Sequence, residues 1–87
     1  MTPTVLTRAM LYSLRRLTFD DLLDVLIRLR QPAPDQMTPH ALRLRIACLI
    51  RDAADHPEAL LTVANAMVAV SVGWHGAPIL TAEDFQG

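Results

Sequence analysis

From Ala59 to Val72 the chain carries no charged side chain, and Thr62, Asn65 and Ser71 are its only polar ones. The other positions are Ala, Val, Leu or Met, so burial must keep water from most sides of this stretch. Any fold for the chain has to supply that cover. On a helix of about 3.6 residues per turn, Leu60, Val63, Met67 and Val70 share one side, and Leu61, Val68 and Val72 share a second. Between them runs a narrow strip of Glu58, Thr62, Asn65, Ala69 and Gly73, small enough for another helix to come close.

Two other conformations compete. Met67 to Trp74 alternates as a strand would, with Val68, Val70, Val72 and Trp74 on one side. The preceding Ala/Leu run continues the helical period and favours helix. A membrane span needs about 20 mostly apolar residues. Here the apolar run stops near Val72 and is followed by Gly73, His75, Gly76 and Pro78. The stretch therefore reads as a buried core helix.

The rest of the chain reads as its companions. Thr2-Pro3 suits a helix start: the Thr caps, and the Pro lacks an N–H that the first turn does not need. Leu6, Met10, Leu14 and Leu17 form an inward stripe, with Arg8, Tyr12, Arg15 and Arg16 outside. Thr18 to Asp21 resembles a capping box, and Leu17 with Leu22 a hydrophobic staple. Asp20, Asp21 and Asp24 favour the positive end of the next helix, Arg28 and Arg30 its negative end, and Asp24 and Arg28 are spaced to pair. Its apolar arc runs through Phe19, Leu22, Leu23, Val25, Leu26, Ile27 and Leu29, wide enough for two neighbours. Pro32 and Pro34 break the helix, and Thr38-Pro39 starts another. Its inner face is Leu42, Ile46, Leu49, Ile50 and Ala53; Leu44 and Cys48 sit among polar residues outside, where Arg51 and Asp55 are spaced to pair. Asp55 and Glu58 suggest a second capping box around Pro57, and Gly73 a left-handed stop.

These signals predict helices over about 3–17, 19–31, 39–54 and 57–72. The fold class is all-α: a small four-helix bundle-like domain over 1–74 with a short C-terminal tail over 75–87. The short joint at Leu17-Thr18 favours a sharp bend over a straight hairpin. Three Gly and 5% aromatics argue against a sandwich or barrel. Hydrophobic residues make up 52% of the chain. So short a chain buries only about 60–65% of its unfolded surface. The excess points to self-association, most simply a homodimer, or to a partner.

Charge is divided. All eight basic residues are Arg and lie in 1–51 with four Asp, a balance of +4, while 52–87 hold five acids and no base. The two poles either neutralise each other within one bundle or steer a charged partner. A lone Cys48 excludes an internal disulfide, and Arg8, Arg15 and Arg16 interrupt any N-terminal leader pattern, so cytoplasm is the default.

No catalytic or metal motif emerges. His40 and Cys48 are eight apart, about 12 Å along a helix, too far to share one ion. Cys48 with Asp52 lies on a helix without an oxyanion loop. The expectation is no enzyme, no metal and no cofactor. A protein partner is expected to meet Arg8, Tyr12, Arg15, Arg16, Leu44, Ile79, Leu80 and Phe85. The tail carrying Ile79, Leu80 and Phe85 has three fates: packing on its own domain, swapping into a twin, or docking on a target. The role expected is a regulator, adaptor or inhibitor of the kind a compact bacterial or phage genome encodes. The alternative is a helix–turn–helix DNA binder placing Thr38, His40, Arg43 and Arg45 on DNA. Against it stand a link of about eight residues, where the motif uses three or four, and the acids Asp52 and Asp55 on the same helix.

Overall fold

A computed structural model gives the structure of the protein and describes residues 2–85. The last two positions of the expected tail, 86 and 87, lie outside the described residues. The order is α1 (Pro3–Ser13), a 3₁₀ turn (Leu14–Arg16), α2 (Phe19–Arg28), α3 (Pro39–Ala53), α4 (Pro57–Val72) and a second 3₁₀ turn (Ala82–Phe85). No strand occurs among the described residues, so the alternation over 67–74 yields to the helical period.

Local signals place most helix starts. Thr2 and Thr38 accept from the backbone N–H of Val5 and Ala41, and Thr18 forms a full capping box with Asp21. At α4 the sequence expectation fails. The extended residue before Pro57 is His56, not Asp55, and its side chain makes no capping bond. The cause is the tight joint: His56 donates its backbone N–H to Ala53 O at 2.9 Å, closing the end of α3 onto the start of α4.

Helix ends differ more. The first helix tightens into a 3₁₀ turn from Leu14, before Leu17 turns extended. The second stops at Arg28, short of the expected 31. Arg30 takes φ 56°, its N–H donates to Ile27 O, and Gln31 N–H donates to Leu26 O. That is a Schellman closure with arginine where glycine is usual. The same closure ends α4 as predicted: Gly73 has φ 68°, and Trp74 N–H donates to Ala69 O at 2.8 Å.

Helices α3 and α4 pack on each other and both touch α1 and α2, whereas α1 and α2 have no substantial contact. The joint at Leu17-Thr18 thus carries the chain diagonally across the bundle. Ser13 and Arg16 share a depression with Ser71, so α1 ends at the same end as α4. Leu29 and Ala53 line a groove with Ala59 and Val63, so α2 and α3 both end where α4 begins. The link must therefore travel back along the bundle. Eight residues held extended by two prolines reach about 25 Å, enough to match the 15-residue α3 at ~22 Å.

The core contains no buried polar or charged residue among the described ones. Leu22, Val25, Leu42, Ile46, Ile50 and Leu60 are fully buried at 0% exposure. The arc of α2 is narrower than expected, because Ile27 is 64% exposed. Among the described residues the one ion pair is Arg28–Asp24 at 3.3 Å; Arg51 and Asp55 do not pair.

Two stability measurements check this account. Leu60→Ala should lower unfolding free energy by about 2–5 kcal/mol in urea titration. Arg30→Gly should raise it by about 0.5–1 kcal/mol, because glycine adopts the left-handed region without steric cost.

Candidate functional site

The tail resolves one of the three fates. After Gly73 the chain turns back along α4, in the angle between α2 and α4. Asn65 holds it from both sides of one peptide: its Nδ2 donates to Leu80 O at 3.0 Å, and Leu80 N–H donates to its Oδ1 at 2.7 Å. Arg28 Nη1 donates to Trp74 O at 2.8 Å, and Nη2 lies 3.2 Å from His75 Nδ1. Trp74 Nε1 donates to Ala77 O at 2.8 Å, folding the indole over Gly76, where any side chain would collide with the ring. Leu80 and Phe85 are half-buried against the core, while Ile79 remains 44% exposed. The strip of Thr62, Asn65 and Ala69, expected to admit another helix, lines a depression with Trp74, Gly76, Ala77 and Ile79 instead. Leu80 and Phe85 therefore serve their own domain.

The arginines of α1 and of the 3₁₀ turn that follows it have no such employment. Arg8, Tyr12, Arg15 and Arg16 are all exposed, Tyr12 to 60%. The guanidinium of Arg16 sits 5.5 Å from the centre of the Tyr12 ring, within cation–π range. Among the described residues none of these three arginines forms an ion pair. The structure joins this quartet at one contact, Arg16 on Tyr12. It does not join it to the tail, which makes no substantial contact with α1. Leu44 is 54% exposed on α3, next to the exposed Cys48 one turn on.

The four residues of the DNA reading are dispersed. Thr38 accepts the α3 cap bond, and His40 is exposed. Arg43 Nε donates to Leu14 O at 3.3 Å, tying α3 to the end of α1, and Arg45 Nη2 donates to Gln31 Oε1 at 3.3 Å. Two positions apart, Arg43 and Arg45 project about 200° from each other around the helix. No group of three His, Cys, Asp or Glu gathers among the described residues. No described helix is long and apolar enough to cross a membrane.

Comparison of the chain with family models, with curated proteins and with solved structures finds no match.

Sequence reasoning missed Asn65 as the tail anchor and Arg28 as its clamp. The signal for the first was present: one amide in the uncharged run Ala59–Val72 has donors and an acceptor to satisfy if covered. Asn65→Ala should cost about 1–3 kcal/mol and speed hydrogen exchange at 80–85, with the amides of α3 protected as before; mass-spectrometric exchange would show both.

Proposed function

We propose that the protein is a non-enzymatic interaction module that binds an acidic surface of another protein through α1, as a regulator, adaptor or inhibitor, and that it acts as a homodimer. One observation carries the reading: three arginines, without ion pairs among the described residues, and a tyrosine stand exposed along α1 and its 3₁₀ turn, with Arg16 already stacked on Tyr12. Arginine suits such a role because its guanidinium is weakly hydrated, stacks on aromatic rings and grips carboxylates in pairs of hydrogen bonds. Tyr and Arg also concentrate binding energy at protein interfaces. Leu44 on α3 offers a smaller apolar contact of the same kind. The DNA reading draws less support, since Arg43 and Arg45 hold intramolecular bonds.

Affinity capture from native lysate tests the proposal. The double variant Arg15→Glu/Arg16→Glu should lose the captured protein while its thermal melt stays close to wild type, because both side chains are exposed. Capture should also weaken as salt is raised. Unchanged capture by the double variant overturns the role of α1.

A further inference from the structure

In an antiparallel ladder a residue exchanges both its N–H and its C=O with one partner opposite. The Asn65 amide makes the same pair of bonds to Leu80, at 2.7 and 3.0 Å. A side chain used in this way reads backbone, as a strand edge does, and is indifferent to which chain supplies it. The other polar side chains of the run turn inward: Thr62 and Ser71 donate to carbonyls of their own helix, at 3.1 and 3.0 Å. Asn65 alone reaches out from it. On either side of the Leu80 peptide the fit is unequal. After it the tail seats well: Leu80 and Phe85 rest half-buried on the core, and Asp84 Oδ2 accepts the Thr81 N–H at 2.7 Å, closing the turn that returns Phe85. Before it the tail is thin. Gly76 and Ala77 share with Leu29, Ala66 and Ala69 a depression of about 190 Å³ that they are too small to fill. Gly76 can carry no side chain there, because the Trp74 ring occupies the space.

We propose that this strip of α4 is a binding groove for an extended aliphatic segment of another protein, and that the tail occupies it as an autoinhibitory stand-in. The tail fixes the chemistry of the guest. A leucine-like residue sits at the Asn65 contact, and an aromatic follows five positions on, as Phe85 follows Leu80. Where the tail has Ala77, three positions before the leucine, the guest carries a bulky apolar side chain that fills the depression. That side chain is what decides the exchange. A tethered segment has a high effective concentration at its own site, which equal contacts from a separate chain do not overcome. Arg28 keeps its bonds to Trp74 O and His75 throughout, so the turn after α4 stays in place and 77–85 swing away.

Fluorescence anisotropy on the full chain tests this, with a labelled peptide of residues 77–85 as the probe. The variant Leu80→Asp/Phe85→Asp, whose own tail cannot seat, should bind the peptide and keep wild-type helicity by circular dichroism. Wild type should bind it at least about tenfold more weakly, because its tail competes. Adding Asn65→Ala to the double variant should abolish binding. The peptide carrying Ala77→Leu should bind the double variant about threefold to tenfold more tightly than the native sequence. In excess it should also speed hydrogen exchange at 80–85 of wild type while α3 stays protected, a reading that needs no variant to fold. Equal binding by wild type and the double variant, or binding that survives Asn65→Ala, overturns the groove. So does absence of binding together with unchanged exchange in wild type. An Ala77→Leu peptide no tighter than the native one overturns the foreign guest, because the groove then fits its own tail alone. Arg15 and Arg16 take no part in any arm, so failure here is distinct from failure of the α1 reading, which is judged by capture.

Discussion

The rod α4, uncharged from Ala59 to Val72, touches α1, α2, α3 and the second 3₁₀ turn. Leu60 has no exposed surface, and Ala64 and Met67 almost none, so these residues require neighbours on several sides at once. Burial of apolar side chains is worth about 1.5–3 kcal/mol each, the largest favourable term open to so small a chain. The diagonal placement of α1 and α2 follows from this. Two helices packed on each other would leave one flank of the rod wet; placed on opposite sides, they cover both.

Polar groups in this fold serve mainly as fasteners for that cover. Arg43 reaches the last carbonyls of α1, Arg45 reaches the link after α2, and Arg28 reaches the turn after α4. Each ties the end of one segment to the flank of another. At Leu14 and Trp74 the acceptor is a backbone carbonyl near a helix end, and at Gln31 it is a side-chain amide oxygen. The unequal charge halves acquire a structural meaning here: five of the eight arginines lie in α2, α3 and the turn between them, where three hold the frame, and the remaining three face solvent on α1 and the 3₁₀ turn that follows it.

Helix existence and most starts were legible because their causes are local. Thr-Pro at 2–3 and 38–39, the Thr18–Asp21 box and Gly73 act within one turn, and each appears where expected. Ends governed by packing were less so. Arg30 enters the left-handed region because Gln31 must turn back to Leu26 O, a demand set by the crossover and not by residue 30 itself. Asp55 looked like a cap by residue type, but the three-residue joint to α3 put His56 in that place. The site divides in the same way. The exposure of Arg8, Tyr12, Arg15 and Arg16 was legible from helical spacing alone. The capture of Leu80 by Asn65 spans fifteen positions, and no periodicity encodes it.

Cover over the rod is uneven along its length. The tail returns along one strip only, and α1 gives way to a 3₁₀ turn at Leu14, beside the last turn of α4. Ser71 and Val72 are left in water although they continue the uncharged run. A longer α1 or a tail turning the other way would have hidden them without changing the core. The asymmetry therefore lies in where the covering elements stop, not in the rod. A helix needed whole by the core thus presents a part of the same uncharged surface outward.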